Sequence, residues 1–214
     1  MKVGKFVTFE GIEGCGKSRQ VCLLGQALED HGVPFISTYQ PGGTPFGEEL
    51  RRILLRKNGP KREPLVELLL YLADRYQHLT EVIEPALARG QHVICDRYHD
   101  ATLAYQGHAR NIGFRTIDSL SRVLKLRIPD LTFVLDLEVK VGLRRARERN
   151  VVEGSEPWGR FEAESLQFHR RVREGYRLIA QKNPERVFVI DASGTPTKVF
   201  ESVREILESK RFFT

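Results

Sequence analysis

The sequence predicts an α/β fold in which a five-stranded parallel sheet is covered by helices on both faces. Short runs of β-branched and aromatic residues alternate along the chain with longer stretches of helical periodicity. The short runs are apolar throughout, as expected for strands that are buried on both faces. We predict strands at 5–10, 34–39, 92–96, 131–137 and 186–191.

The segments between the predicted strands have the periodicity of helices. No repeat or linker interrupts the 214 residues, so we expect a single domain. Parallel sheets of this kind bind ligands beyond the carboxyl ends of their strands. We therefore expect functional residues just after each predicted strand. We predict helices at about 17–31, 46–57, 64–89, 115–127, 139–149, 162–182 and 197–209.

The composition indicates a globular protein, with 41% hydrophobic and 29% charged residues. The sequence has no apolar run near the roughly 20 residues that span a bilayer, and its N-terminus lacks a signal-peptide pattern. We therefore expect a cytoplasmic protein without a membrane partner. Cys15, Cys22 and Cys95 have no paired spacing, so we expect neither a disulfide nor a zinc site.

The net charge of +6 raises the alternative of a nucleic-acid partner. However, the arginines concentrate between Arg144 and Arg177, and the sequence has no polybasic tail. A surface that holds a small polyanion has the same composition. We therefore expect small-molecule nucleotides and no nucleic acid.

The segment "GIEGCGKS" follows the apolar run Phe6-Val7-Thr8-Phe9 and precedes a predicted helix, which is the context of a P-loop. Its glycines let backbone N–H groups turn towards phosphate oxygens, and the helix adds the positive end of its dipole. Lys17 is placed to reach the β- and γ-phosphates, and Ser18 is placed to bind Mg²⁺. The predicted nucleotide-binding residues are Gly11, Ile12, Glu13, Gly14, Cys15, Gly16, Lys17 and Ser18.

A second anion-binding element is predicted where the strand at 92–96 ends. Asp96 is placed to hold magnesium through water, and its alternative role is to cap the next turn. Arg97 is a permanent cation whose fork suits phosphate, and its alternative role is a surface salt bridge. Glu13 remains unexplained at this point, because a carboxylate is unexpected in a loop that binds anions.

Five segments, in this order, make the sequence resemble the thymidylate kinases: "FEGIEGCGKS", "QPGGTPFGEELR", "YLADRYQ", "DRYHDATLAYQG" and "GRFEAESLQFHRRVREGY". The resemblance covers nearly the whole chain. It implies a P-loop NTPase fold, transfer of a phosphoryl group from ATP to dTMP with Mg²⁺, and a homodimer.

The resemblance also implies how the acceptor dTMP is bound. Glu13 corresponds to the P-loop carboxylate that meets the 3′-hydroxyl of the acceptor sugar, which explains its presence. Arg97 corresponds to the arginine that holds the acceptor phosphate, and Arg51 to another cation near that phosphate. Arg97 and Lys17 are therefore predicted catalytic residues.

For the acceptor base, the resemblance assigns stacking to Tyr71 and a contact with the base carbonyl to Arg75. Without the resemblance, Tyr71 is interpreted as a core residue and Arg75 as the exposed partner of a carboxylate. Thr102, Tyr105 and Gln106 correspond to contacts with the base and the 2′ side of the sugar, where the Tyr105 ring would exclude a ribose hydroxyl.

The helical pattern at 64–89 predicts which of its faces is buried. Tyr71 and Arg75 are four residues apart and share one flank. The apolar stripe expected to face the core consists of Leu65, Leu68, Leu72, Tyr76 and Leu79.

The sequence departs from the family pattern at three places. The usual Arg-Glu before Pro-Gly-Gly-Thr is replaced by Tyr39-Gln40. Ala101 stands where serine is common, and the segment 150–159 is longer than the short lid of many bacterial members.

The P-loop offers no cation before Lys17, so the resemblance suggests that a lid supplies the catalytic arginine. A lid at about 145–162 contains a Gly/Pro-bearing segment between basic residues. Arg145 and Arg149 share a helix face, and they and Arg160 are the candidates. Glu162 corresponds to a family position near the metal or the acceptor phosphate, so the predicted metal-binding residues are Ser18, Asp96 and Glu162. The alternative is a solvated basic helix face.

Phosphoryl transfer requires of the protein chiefly alignment and charge neutralisation, with little covalent chemistry of its own. The six histidines are scattered, and we interpret them as surface or packing residues. The nearest alternative function is a P-loop kinase for another nucleotide or nucleoside. A more distant one is a nucleotide-binding switch or a nucleic-acid-stimulated ATPase, against which the chain has no room for an extra module.

Overall fold

The computed structural model describes residues 4–152 and 159–213, and within them the predicted parallel sheet is confirmed. All neighbouring strands are parallel, in the order β2-β3-β1-β4-β5. The strands are β1 (Phe6–Glu10), β2 (Phe35–Tyr39), β3 (His92–Asp96), β4 (Leu131–Asp136) and β5 (Val187–Asp191).

The centre of the sheet brings two sequence motifs together. Strand β1 lies between β3 and β4, and Phe9 is in register with Asp96 of β3. The P-loop, which follows β1, therefore lies beside the residues that follow β3. The connection after β1 leads to β2 at one edge of the sheet, whereas the connection after β3 leads to β4 on the other side of β1. Open α/β sheets bind ligands at the point where connections diverge in this way.

Helices cover the sheet, and most of them match the sequence prediction within a few residues. One predicted helix, 64–89, is divided by a π-helical segment, Leu79–Ile83, ahead of Pro85. Proline lacks an N–H and its ring clashes with the preceding turn, so the wider turn accommodates it. The helices are α1 (Lys17–Asp30), α2 (Pro45–Leu55), α3 (Pro64–His78), α4 (Glu84–Ala88), α5 (His99–Thr102), α6 (Phe114–Val123), α7 (Val139–Val152), α8 (Leu166–Lys182) and α9 (Pro196–Ser209).

The segment from 99 to 109 is helical, which the sequence did not predict. It consists of α5 and the π-helical segment Leu103–Ala109, which packs along α8. Nearly all its residues are buried. A helix buried on every side has no exposed face. Because this one buries polar residues such as Asp100 and Gln106 as well as apolar ones, it lacks the 3.6-residue apolar periodicity on which the prediction depends.

Helix α8 begins at Leu166, four residues later than predicted. The Ser165 hydroxyl accepts a hydrogen bond from the Phe168 N–H at 3.1 Å and caps its N-terminus. Glu162 therefore lies in a separate 3₁₀ turn, Phe161–Ala163. Within the described ranges, none of the helices combines the length and apolarity needed to cross a membrane.

Candidate active site

A cavity of about 960 Å³ opens at the carboxyl ends of β1 and β3. It runs from the P-loop, past the residues after β3, to the wall formed by α3 and the 99–109 segment. The predicted site residues that line it are Glu13, Gly14, Gly16, Lys17, Ser18, Arg51, Tyr71, Arg75, Asp96, Arg97, Thr102, Tyr105, Gln106, Arg145, Arg149 and Glu162.

Two glycines of the P-loop stand where a side chain would clash with the neighbouring backbone. Gly11 and Gly14 have φ angles of 134° and 70°. A Cβ at Gly14 would lie 2.0 Å from the Gly142 carbonyl oxygen of α7, and one at Gly11 would lie 2.6 Å from the Leu135 carbonyl oxygen. The loop is therefore held tightly between β4 and α7.

Lys17 lies across the P-loop and is nearly buried. Its Nζ donates to the Ile12 carbonyl at 2.9 Å and to the Gly11 carbonyl at 3.3 Å. Gly16 caps α1 without a side chain, so the first N–H groups of the helix are left for an anion. This half of the cavity combines a cation with backbone donors.

Ser18 and Asp96 meet at the edge of the P-loop. The Ser18 hydroxyl donates to Asp96 Oδ2 at 2.6 Å. A hydroxyl and a carboxylate are oxygen donors of the kind that Mg²⁺ prefers, and Mg²⁺ usually keeps several waters and phosphate oxygens as further ligands. No group of three His, Cys, Asp or Glu side chains suited to a metal occurs in residues 4–152 and 159–213. The pair therefore fits a phosphate-bound Mg²⁺ rather than a metal held by protein alone.

Arg97 is held in a strained backbone conformation. Its φ angle is 68°, which costs a residue with a side chain about 1–2 kcal/mol. Its N–H donates to the Phe9 carbonyl at 2.9 Å, and its guanidinium donates to the Gly11 carbonyl at 2.9 Å and to Glu13 Oε1 at 3.1 Å. These contacts fix a cation beside the P-loop that faces the cavity.

Glu13 is turned away from the phosphate-binding face of its own loop. Its Oε1 accepts hydrogen bonds from Arg97 and, at 2.5 Å, from the Tyr105 hydroxyl. Burial alone would raise its pKa, but the contact with His169 and the charges of Arg97 and Lys17 hold the pKa well below its usual range. The carboxylate is thus the buried counter-ion of Arg97.

Helix α8 supports this cluster through two side chains on one face. His169 lies with its Nδ1 3.2 Å from Glu13 Oε2, and Tyr176 donates to Glu10 Oε2 at 2.8 Å. Glu10 also accepts the Tyr98 N–H at 2.7 Å. Burial and the nearby Asp100 charge raise the pKa of Glu10 to about 7.

Arg75 is a buried cation whose hydrogen-bond partners are neutral. It is 1% exposed, and it donates to Gln40 Oε1 at 3.0 Å, Thr102 Oγ1 at 2.7 Å and the Tyr98 carbonyl at 2.8 Å. The interpretation of Arg75 as an exposed residue is therefore wrong. Gln40, which departs from the family's glutamate, pairs with Arg75 through its amide oxygen.

The predicted core stripe of α3 is wrong in two of its members. Leu65 is 53% exposed and Tyr76 is 47% exposed, whereas Leu68, Leu72 and Leu79 are buried. The buried face of α3 is instead shared with polar residues, each of which is hydrogen-bonded to a neighbouring segment. These buried polar residues are Glu67, Asp74, Arg75 and His78.

Tyr71 and Gln106 form the wall opposite the P-loop. Tyr71 is 9% exposed, and burial raises the pKa of its hydroxyl. Gln106 Nε2 donates to Glu67 Oε1 at 2.7 Å, and Glu67 in turn pairs with Arg110 and Arg160. Glu67 therefore fixes the orientation of the Gln106 amide.

The three candidate lid arginines differ in position. Arg145 and Arg149 line the cavity, and an Arg149 guanidinium nitrogen lies 3.9 Å from Glu162 Oε1. Arg160 instead contacts Glu67 and donates to the Leu54 carbonyl at 3.2 Å. Residues 153–158 of the predicted lid lie outside the described residues.

Two cavity neighbours have surroundings that the sequence did not indicate. Arg51 donates to the Pro41 carbonyl at 2.6 Å and lies over the Tyr39 ring. His169, interpreted from the sequence as a surface or packing residue, is fully buried against Glu13. A usable signal was its seven-residue spacing from Tyr176 within one family segment, which places both on one helix face.

A family model and individual relatives of known family match this chain over nearly its full length. A family model described as thymidylate kinase matches residues 9–203. A thymidylate kinase of Solidesulfovibrio magneticus is 51% identical over 200 residues, which cover 92% of this chain and 96% of the relative. One of Pelobacter propionicus is 45% identical over 211 residues, 97% of this chain and 96% of the relative.

A solved structure is also similar. The crystal structure of a thymidylate kinase from Ehrlichia chaffeensis is 34% identical, with a TM-score of 0.76 over 96% of this chain and 99% of that one. Because sequence and fold both match over nearly the full length, the chain belongs to the thymidylate kinase family.

Proposed function

We propose that this cavity is where the chain, as a thymidylate kinase, transfers the terminal phosphoryl group of ATP to dTMP, giving dTDP and ADP for dTTP synthesis. The observation that carries the proposal is that one cavity joins the P-loop with Lys17 to a second compartment walled by Arg97, Arg75 and Tyr71. Two anionic substrates can therefore meet end to end, which is what phosphoryl transfer requires.

ATP occupies the P-loop half, with its phosphates against residues 11–18. The backbone N–H groups and the start of α1 receive the phosphate oxygens. Lys17 exchanges its contacts with the Gly11 and Ile12 carbonyls for phosphate oxygens. An oxygen of the dTMP phosphate then bonds to the γ-phosphorus as the bond to the bridging β,γ-oxygen breaks.

Ser18 and Asp96 would hold Mg²⁺, which supplies charge neutralisation at the β- and γ-phosphates when bound. Their side-chain oxygens lie 2.6 Å apart, so one ion can engage both, directly or through water. Glu162 lines the same cavity and remains a candidate for the metal or the acceptor phosphate.

The acceptor phosphate lies against Arg97, with Arg51 as a second cation. Arg97 lines the cavity on a fixed backbone, so binding requires only that its guanidinium turn from Glu13 to the phosphate. Lys17 and Arg97 then offset the repulsion between the two phosphate groups. This shared neutralisation makes both of them catalytic residues.

The thymine base lies between Tyr71 and Arg75. The Tyr71 ring stacks on the base, and Arg75 and Thr102 face its carbonyl edge, with Gln106 behind. On the sugar, Glu13 accepts from the 3′-hydroxyl. Tyr105 fills the space beside C2′, because its ring is held by the hydrogen bond from its hydroxyl to Glu13.

The segment at about 145–162 acts as a lid within the single domain and supplies a cation to the transferring phosphoryl group. Arg145 and Arg149 already line the cavity. Arg160 would have to leave Glu67 to reach it. The structure therefore favours one of the two α7 arginines.

The chain acts as a cytoplasmic homodimer. Helix α3 leaves Leu65, Val66, Leu69 and Tyr76 each about half exposed, which is an apolar face suited to a second copy. Sedimentation should give twice the chain mass, and Leu69→Glu should shift it towards the monomer.

The function is tested with a panel of nucleoside monophosphates, ATP and Mg²⁺ in a coupled assay. We expect dTMP to be the preferred acceptor, and no stimulation of ATP hydrolysis by DNA or RNA. A much higher rate with another monophosphate would contradict the proposal, and so would the absence of turnover with every monophosphate tested.

A further inference from the structure

The His169 ring lies between two oxygen atoms of the acceptor type, a backbone carbonyl and a carboxylate. The ring is 0% exposed, its Nε2 lies 2.9 Å from the Phe161 carbonyl oxygen, and its Nδ1 lies 3.2 Å from Glu13 Oε2. Neither Nδ1 nor Oε2 makes a hydrogen bond of good geometry within residues 4–152 and 159–213, so their contact with each other is a close approach at ion-pair distance. The ring thus links the P-loop to the 3₁₀ turn where the lid ends.

These partners determine the charge of the ring. A carbonyl oxygen only accepts, so Nε2 must carry a proton. An ionised carboxylate also only accepts, so Nδ1 must carry a proton as well. A neutral ring with its proton on Nε2 would instead place a nitrogen lone pair 3.2 Å from a buried carboxylate oxygen, where the two would repel each other. The geometry therefore requires an imidazolium if Glu13 is ionised.

Glu13 is ionised because donors and cations surround it. Its Oε1 receives Arg97 and the Tyr105 hydroxyl, at 3.1 and 2.5 Å. Although burial would raise its pKa, His169, Arg97 and Lys17 hold it well below the usual range. Tyr105 faces the carboxylate as a neutral donor, so the charged groups around this acid are cations from α1, α8 and the end of β3.

The two cations that contact Glu13 differ in how they are held. Arg97 has 19% of its side chain exposed and faces the cavity, where the acceptor phosphate would compete for it. His169 has no access to solvent and is anchored to the Phe161 carbonyl. If Arg97 turns to a phosphate, a buried carboxylate without another cation would be strongly destabilised.

We propose that His169 is a positioning residue whose imidazolium stays with Glu13 as a fixed counter-ion when Arg97 turns to the acceptor phosphate. This inference rests on the proposed function, because it needs Arg97 to bind that phosphate. It makes α8 a part of the acceptor site although His169 touches no substrate. It also couples the position of Glu13 to the end of the lid.

The kinetic test compares His169→Phe, which keeps a ring but no donor, with His169→Gln, which keeps one neutral donor. We expect His169→Phe to raise the KM for dTMP about tenfold, the equivalent of one lost hydrogen bond to a charged group, and to leave the KM for ATP unchanged. His169→Gln should recover part of the loss. Equal effects on both KM values would overturn the proposal.

A double-mutant cycle with Glu13→Gln separates positioning from general damage. The amide introduced by Glu13→Gln carries no charge, so adding His169→Gln to that variant should cause little further loss of dTMP kcat/KM. Fully additive losses would contradict the proposal. A wild-type chain that does not phosphorylate dTMP would overturn the proposed function instead, while ¹⁵N NMR spectra of the imidazole rings would still decide the charge of His169.

The charge state is tested directly by ¹⁵N NMR of the imidazole rings in the wild-type protein at about pH 7.5, which requires no variant to fold. We expect both His169 nitrogens to be protonated, with the resonances assigned by their loss in His169→Gln. In Glu13→Gln the amide can donate to Nδ1, so only Nε2 should keep its proton. A singly protonated ring in the wild-type protein would overturn the proposal.

Discussion

The two halves of the cavity are built in different ways. In the P-loop half, Lys17 is held by groups two to six residues away, and the phosphate-binding groups belong to the backbone. In the acceptor half, Arg75 and Glu13 are held by side chains and carbonyls 23 to 156 residues away, from Tyr98 beside Arg75 to His169 beside Glu13. The contacts of the P-loop half are therefore close in sequence, whereas those of the acceptor half form only when the whole chain has folded.

This difference determines where buried charge and strain accumulate. Arg97 has a left-handed backbone, Arg75 is buried among neutral partners, and Glu10 and Glu13 are buried carboxylates. Each is unfavourable alone and persists because tertiary contacts fix it. We therefore expect remote substitutions to affect dTMP use, while ATP binding responds mainly to changes within the P-loop.

The largest expected effect concerns the lid, which serves both halves. At least one of Arg145→Ala, Arg149→Ala and Arg160→Ala should lower kcat by about 10³-fold, as for other arginines that stabilise transferring phosphoryl groups. The KM for ATP should change little. Arg144→Ala, an exposed neighbour paired with Glu148, is the control. Near-normal kcat in all three variants would exclude a catalytic arginine from this group.

Glu13 belongs to the P-loop in sequence, but its contacts with Arg97 and His169 place it in the acceptor half. Glu13→Ala should reduce kcat/KM for dTMP about tenfold or more, since Arg97 and His169 lose their common partner. Glu13→Gln keeps an acceptor oxygen and should be milder. Steady-state kinetics with each substrate varied would reject this role if the KM for ATP rose as much.

Tyr105 tests the choice of sugar within the acceptor half. Its ring is buried against Arg97, with the guanidinium carbon 5.1 Å from the ring centre. Tyr105→Ala opens space beside C2′, so the preference for dTMP over ribothymidine monophosphate should narrow several-fold. An unchanged ratio of the two kcat/KM values would refute the steric explanation.

The smallest expected effect concerns stability and pH. Because the pKa of Glu10 is raised to about 7 by burial and by the Asp100 charge, its neutral form favours folding. That contribution is complete below the ordinary pKa of 4.5 and is lost as the pH rises through about 7. Relative to Glu10→Gln, the wild-type protein should lose about 2 kcal/mol between about pH 5 and pH 8. Parallel denaturation curves of both proteins check this, and a constant difference would contradict it.

The local half of the site was predictable from the sequence, and the long-range half only in part. The P-loop and the Asp96-Arg97 pair were recognisable because contiguous residues carry the chemistry. The parallel sheet followed from its apolar strands. Tyr71 and Arg75 were identified as candidate base-binding residues only through the resemblance to family motifs, and both lie in the cavity wall.

Three features were missed for physical reasons. The helical segment 99–109 is buried on all sides and mixes polar with apolar residues, so the apolar periodicity of a helix is absent from its sequence. Leu65 and Tyr76 of α3 are exposed because polar side chains occupy its buried face. His169 is far from Glu13 in the sequence, and only the packing of α8 shows that they meet.

The separation of the two halves is tested most directly by binding each nucleotide alone to Arg97→Ala. Isothermal titration should show a Kd for dTMP weakened about 10²-fold, since a buried charge-assisted contact to phosphate is lost. The Kd for ATP should stay close to that of the wild-type protein. An equal loss of affinity for both nucleotides, or an unchanged Kd for dTMP, would contradict the separation of the two halves.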